Sequence, residues 1–258
     1  MKISIRLAVV AALVVAAAMT LGGDAQANHS WQRYHWARTS NPLVLQLGDN
    51  VDSSWDGNLA QTSSDWSVSA VLDTNVVAGS TTGLTCAAKK GTVQVCNANY
   101  GSNGWLGLAQ IWITTGAHIA QGVAKMNDYY WSAAANYAYA NAAEAQHVVC
   151  QEVGHTFGLG HQSETGASLN TCMDYYHNTS DADLVSTTPN AHDYEQLVKI
   201  YRHLDRFNTS AGASSTSAQW ANGHAPDGTP NGAAPARGPW YVQDLGNGQL
   251  LFTHVYWK

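Results

Sequence analysis

The chain has 258 residues, enough for one large domain or two small ones, and a chain of this length can bury a substantial apolar core. Only 12% of its residues are charged and the formal net charge is -6, which argues against a nucleic-acid-binding protein and against a disordered acidic tail.

The first 27 residues have the three parts of a secretory signal peptide. Lys2 and Arg6 form a positive segment, an apolar run follows over 7–19, and residues 25–27 read Ala-Gln-Ala, an A-x-A cleavage signature. We therefore predict a secreted, extracellular chain that begins at Asn28. The apolar run is too short to span a membrane comfortably, so stable membrane insertion is not expected.

Hydrophobic patterns predict strands in the first half of the chain. Apolar runs or alternating positions mark strands at 43–47, 93–95, 108–113 and 116–127, and a short amphipathic helix is predicted at 65–72.

Two longer helices are predicted in the second half. Residues 132–157 are rich in alanine, lack proline and carry three valines on one helical stripe, and Gly158 follows as a stop residue. A second helix is predicted over 192–204, capped by Asn190 or Asp193.

The composition divides the chain into a signal peptide over 1–27, a main domain over 28–207, a linker over 208–239 and a C-terminal segment over 240–258. The linker is rich in Ser, Gly, Ala and Pro, a composition that cannot bury a core. The C-terminal segment has two apolar runs around Gly-Asn-Gly and predicts a β-hairpin, which must pack on the main domain because isolated hairpins are marginally stable. The fold class is therefore α+β.

One stretch predicts chemistry: residues 150–161 read CQEVGHTFGLGH. On a helix, Gln151 and His155 lie one turn apart on one face with Glu152 beside them, and a glycine then lets the chain turn so that His161 approaches. Three ligands and one open position are typical of catalytic zinc, where a carboxylate such as Glu152 accepts a proton from the bound water.

This stretch resembles the elongated zinc-binding motif of metzincin metallopeptidases, H-E-x-x-H-x-x-G-x-x-H, with Gln151 in place of the first histidine. Residues 171–175, Thr-Cys-Met-Asp-Tyr, resemble the methionine turn that lies beneath the metal in that family, with Met173 at its centre. In astacin-like and serralysin-like members the tyrosine two residues later reaches the metal, and Tyr175 matches it. The resemblance implies a mixed twisted sheet with an active-site helix and a C-terminal helix.

The resemblance also implies a substrate cleft. Metzincins have a cleft-lining edge strand just before the strand that precedes the active-site helix, and the segment before 118–127 resembles it, through Gly104, Trp105, Leu106 and Gly107. A peptide or protein substrate would bind as an extended strand added to that edge.

The departure at Gln151 leaves the ligand set open, since an amide oxygen is a weaker zinc ligand than an imidazole nitrogen. His147 is on the same helix face, but it lies about 12 Å along the axis from His155 and cannot hold the same ion. His177 is an alternative ligand from the side of the methionine turn.

Calcium is the second cofactor that the sequence suggests. Asp49, Asp52, Asp56 and Asn58 follow a predicted strand, as calcium-binding loops do in some matrixins. They lack EF-hand spacing, so solvated loop residues are the expected interpretation.

The four cysteines all lie in the predicted mature chain, where an oxidising compartment permits disulfides. Cys86 and Cys96 flank a turn and can face one another. Cys150 and Cys172 should meet if the methionine turn lies under the active-site helix. We predict these two pairs.

The predicted function is a secreted zinc-dependent metalloendopeptidase in which Glu152 is the general base and His155, His161, Gln151 and Tyr175 hold the metal. The alternative is an inactive metzincin fold that binds proteins and has lost zinc through Gln151. A third hypothesis, a wall-associated carbohydrate binder, rests on the tryptophans alone. Glu152 favours the enzyme, because burying a carboxylate without a partner is costly.

Overall fold

The structure is a computed structural model and describes residues 28–114, 116–211 and 239–258. The predicted signal peptide and residues 212–238 of the predicted linker lie outside the described residues.

The described residues form one mixed sheet of eight strands. Four neighbouring strands run parallel in the order β3, β2, β4, β6, and β1 also pairs in parallel with β6. β5 runs antiparallel beside β6, and β8 and β7 continue the sheet antiparallel beyond it. The strands are β1 His35–Trp36, β2 Leu43–Asn50, β3 Leu72–Ala78, β4 Thr92–Ala98, β5 Trp105–Ile113, β6 His118–Asn127, β7 Trp240–Gly246 and β8 Gln249–Trp257.

Three α-helices accompany this sheet in the described part of the chain: α1 Asp56–Trp66, α2 Ala142–His155 and α3 Ala191–Ile200. Two 3₁₀ turns, Asp128–Trp131 and Ala133–Ala135, connect β6 to α2. α2 packs against α1 and against β5 and β6, so its inner face lies over the middle of the sheet. None of the described helices is long and apolar enough to cross a membrane.

The helix boundaries differ from the predicted ones for local reasons. The helix predicted over 132–157 begins only at Ala142, because Asn136 adopts a left-handed conformation and the Asn141 side chain accepts a hydrogen bond from the Glu144 N–H. The last predicted helix ends at Ile200 instead of 204 and begins at Ala191, one residue before the predicted start, with Asn190 and Asp193 forming a capping box.

The helix predicted over 65–72 is wrong. Residues 56–66 form α1 instead, and Leu72 begins strand β3, which pairs in parallel with β2. Three of the seven residues of β3 are exposed at the sheet edge, so its sequence carries little of the alternation that marks a strand.

The C-terminal segment forms the predicted hairpin and packs on the main sheet. β8 pairs along the whole of β5, from Trp105 to Ile113, and its inward side chains are buried. The strand that was expected to offer a free edge to a substrate is therefore an inner strand of this sheet.

Candidate metal centre

Helix α2 and the turn after it bring two of the predicted ligands together. α2 ends at His155, and Gly158 has a φ of 96°, a left-handed conformation that favours glycine. A Cβ at this position would also collide with the Tyr34 carbonyl. The turn brings the His161 ring to 5.0 Å from the His155 ring, centroid to centroid.

A third histidine, which sequence reasoning missed, reaches the same point from the C-terminal hairpin. His254 lies on β8, and one ring nitrogen of each of His155, His161 and His254 lies within 4.8 Å of the others. We call these three residues the helix cluster. All three Nε2 atoms are buried and have no hydrogen-bond partner.

The other ring nitrogen of each histidine is engaged. His155 Nδ1 donates to the Leu159 carbonyl at 2.9 Å, His161 Nδ1 lies 3.2 Å from Glu164 Oε1, and His254 Nδ1 lies 3.0 Å from Glu152 Oε2. A carbonyl only accepts, so the Nε2 lone pair of His155 is left free, and the Glu164 carboxylate, whose pKa the hydrogen bond to His161 lowers to about 2, imposes the same tautomer on His161. His254 has this tautomer when Glu152 is ionised. Such outer partners are typical of metal-binding histidines.

Burial favours the neutral form of these rings. It lowers the pKa of His161 to about 4, and it lowers the pKa values of His155 and His254 well below their usual value. Neutral imidazole is the form that binds a metal.

Glu152 lies beside the cluster and is itself fully buried. Its Oε2 faces His254, whereas its Oε1 has no partner, and burial raises its pKa well above the usual value. Gly107 on β5 makes room for it, because a Cβ there would lie 2.7 Å from Glu152 Cγ and Oε1. The carboxyl group is thus held out of contact with solvent, against β5.

Gln151 is anchored by the methionine turn. Its side-chain NH₂ donates to the Cys172 carbonyl at 2.9 Å and to the Asp174 carbonyl at 2.7 Å. Two carbonyl acceptors fix the orientation of the amide, since the opposite orientation would face oxygen with oxygen. Its Oε1 is buried without a partner and is the only atom of this side chain left to act as a ligand.

The segment around Met173 packs against α2, since a Cβ at Gly154 would lie 2.6 Å from Met173 Sδ. Met173 is fully buried in the core that contains the inner face of α2. Both predicted disulfides, Cys86–Cys96 and Cys150–Cys172, are present, and the second ties this turn to α2.

Tyr175 approaches the cluster with its ring rather than its hydroxyl. Its ring centroid lies 5.3 Å from that of His161, and its hydroxyl accepts a hydrogen bond from the Trp257 N–H on β8 at 2.9 Å. Burial raises its pKa to about 12, so the hydroxyl stays protonated.

The alternative ligands do not join the helix cluster. Both ring nitrogens of His147 are engaged, by the Asn178 side chain and the Asp174 carbonyl, and His177 pairs with Glu144 at 2.7 Å. The acidic residues considered for calcium belong to neither potential metal-binding group among the described residues. Asn58 instead donates to Gln146.

One sequence signal points to His254. Phe252, His254 and Tyr256 share one face of β8, so the histidine stands at even spacing between two aromatic residues. That pattern predicts burial, but only the docking of the hairpin brings the ring to His155. Neither the protein-family models nor the curated proteins that were compared with the chain match it.

Proposed function

We propose that the protein is a secreted zinc-dependent metalloendopeptidase of the metzincin type, with a C-terminal hairpin that closes its cleft. One observation carries the proposal: three unpartnered histidine Nε2 atoms converge beside a buried carboxyl group. The methionine turn beneath α2 and the succession of an antiparallel strand, a parallel strand and this helix support the metzincin type.

The residues present fit a zinc ion. Their donors are imidazole nitrogens, which zinc prefers, and each ring is oriented by an oxygen on its far side. When bound, zinc acts as a Lewis acid and lowers the pKa of a bound water. Gln151 Oε1 is the further ligand atom that the motif supplies.

Glu152 is the general base in this proposal. It would accept the proton of the attacking water and then deliver it to the leaving amine. A buried position suits that role, because burial raises the pKa of the carboxyl group and so makes its ionised form a stronger base. Trp31 stacks on the His155 ring at 5.2 Å and Trp240 lies edge-on at 5.1 Å, so both exclude water.

The hairpin has the geometry expected of a bound substrate. β8 runs antiparallel along β5, and His254 Nδ1 on β8 lies within hydrogen-bond distance of Glu152 Oε2. An added peptide can pair with β5 only after β8 leaves it. We infer that the closed chain is latent, because His155, His161, His254 and Gln151 Oε1 would together fill the four positions of a tetrahedral zinc ion. Opening would withdraw His254 with β8, leave His155, His161 and Gln151 to hold the ion, and free one position for water, the strand edge and the carboxyl oxygen.

The test uses the mature chain with a site-specific protease sequence inserted into the segment 212–238. Cutting turns the hairpin from a tethered into a separate partner, so dilution should release it. We expect hydrolysis of an unfolded protein substrate to rise after cutting and dilution, to stop with chelator, and to fall again when a synthetic peptide of residues 240–258 is added.

The matched variants are Glu152→Gln and Glu144→Gln, the same substitution two turns apart on α2. Glu152→Gln should abolish hydrolysis while zinc stays bound, and Glu144→Gln should retain both. A cut chain that contains zinc but cleaves nothing, or an active Glu152→Gln variant, would contradict the enzyme. A chain without zinc and without activity in either form would support the inactive protein-binding module.

A further inference from the structure

A second group of metal-capable side chains lies away from the helix cluster, in a surface pocket of about 910 Å³. It consists of His35 at the start of β1, His118 at the start of β6, and Asp205, which follows α3. We call these three residues the pocket cluster. His203 also lines the pocket.

The imidazoles of this region surround one carboxylate. His118 Nε2 lies 3.2 Å from Asp205 Oδ1, His203 Nε2 lies 3.4 Å from the same oxygen, and His35 Nε2 lies 3.6 Å from Oδ2. Zinc bonds of about 2.0–2.2 Å in a tetrahedron separate neighbouring ligand atoms by about 3.3–3.5 Å. The distances to Asp205 are therefore close to those between neighbouring zinc ligands, and one ligand atom of each residue of the pocket cluster lies within 4.8 Å of the others.

His35 provides an independent observation. Its side chain is only 5% exposed, and its Nδ1 donates to the Arg33 carbonyl at 2.7 Å. The neutral ring therefore presents the Nε2 lone pair to Asp205, and this nitrogen has no hydrogen-bond partner. Two acceptors face one another with no proton between them, an arrangement that a cation relieves.

Asp205 is held in place by hydrogen bonds. The Arg38 N–H donates to its Oδ2 at 2.9 Å, and His118 Nε2 lies 3.2 Å from its Oδ1. Arg33, Lys199 and Arg202 also line the pocket and would repel a loosely held cation. Affinity must therefore come from direct coordination, which imidazole and carboxylate ligands provide for zinc-like ions.

We propose that the pocket cluster binds a divalent transition-metal ion, with His203 as a fourth ligand from the pocket rim. The ion would connect β1, β6 and the segment after α3, three elements that are distant in sequence. It is separate from the helix cluster, with which it shares no residue. The proposal does not depend on peptidase activity.

The experiment measures bound zinc per chain in the mature full-length protein after equilibrium dialysis against zinc chloride. The variants are His118→Gln, Asp205→Asn and His155→Asn, alone and combined. His192→Gln is the matched control, because His192 is a buried histidine whose two ring nitrogens have no partner and which lies in neither cluster.

We expect two zinc ions per chain in the wild type and in His192→Gln, one in each variant of a single cluster, and none when His155→Asn is combined with His118→Gln. Asp205→Asn keeps an oxygen for the Arg38 N–H but removes the charge. It therefore still tests the pocket site if His118→Gln folds poorly. Cobalt(II) absorption provides a second readout of the pocket ligands.

Pocket variants that hold as much zinc as the wild type would overturn the proposal, as would a His155→Asn variant that holds none. A wild type with one ion that is lost in His118→Gln but kept in His155→Asn would support the pocket site and contradict the zinc site of the proposed peptidase.

Discussion

The helix cluster and the pocket cluster contain the same kind of ligand in opposite surroundings. In the helix cluster three neutral rings are fully enclosed, and each is oriented by an oxygen on its far side. In the pocket cluster the carboxylate stands at the centre and the rings at its edge, with the His118 side chain 14% exposed. A dry site thus depends on outer partners to hold its ligands, whereas an open one can organise them around a charge.

The largest expected difference between the clusters is the loss of folding stability that protonation of their histidines causes at low pH. The helix cluster must stay neutral in the folded chain, but its histidines take up protons near pH 6.5 when the chain unfolds. His161, with a folded pKa of about 4, therefore contributes stability above pH 6.5 that is lost as the pH falls toward 4, at most about 3 kcal/mol.

Urea unfolding of the metal-free protein at several pH values measures this effect. We expect the free energy of unfolding to fall steeply between pH 6.5 and 4, and to fall less in His161→Asn, which cannot take up that proton. An equal slope in both proteins would show that His161 takes up its proton as readily in the folded chain as in the unfolded chain.

The next effect separates the two disulfides. Replacing both Cys150 and Cys172 by alanine should lower the free energy of unfolding by about 3 kcal/mol and should also weaken zinc binding, because this bond ties the methionine turn to α2. Replacing Cys86 and Cys96 should cost a similar amount but leave the zinc affinity unchanged. Equal zinc affinities in the two double variants would show that tying the methionine turn to α2 does not help to hold the zinc ligands.

A smaller effect tests the outer partners of the helix cluster. Glu164→Gln removes the carboxylate beside His161 Nδ1, and loss of such a partner typically costs about 10–100-fold in metal affinity. Competition with a chromophoric chelator measures the change, and Glu195→Gln on the exposed face of α3 is the matched control. An unchanged affinity would mean that burial alone orients the His161 ring.

The smallest effect concerns the rim of the pocket. The His203 side chain is 52% exposed, so ordering it on an ion costs conformational entropy. His203→Ala should therefore weaken zinc binding in the pocket by at most about tenfold, ~1.4 kcal/mol. Calorimetric titration in a His155→Asn background isolates this site, and complete loss of binding would make His203 a principal ligand.

The sequence predicted the parts of the molecule that depend on local pattern. The inner strands, the alanine-rich helix and the capped last helix follow from hydrophobic spacing and from capping residues that act within a few positions. The same locality brings His155, Glu152 and His161 together, because one helical turn and one glycine determine their approach. The hairpin was also predicted, from two apolar runs around a turn.

Only the tertiary structure decided where that hairpin lies and what its residues do. β8 covers the strand that was expected to be open, and it delivers His254 to a site about a hundred residues earlier in the chain. His35, His118 and Asp205 likewise meet only because β1, β6 and the segment after α3 converge. Sheet pairing and burial between distant segments carry no short-range signature, so periodicity and spacing could identify these elements but not their neighbours.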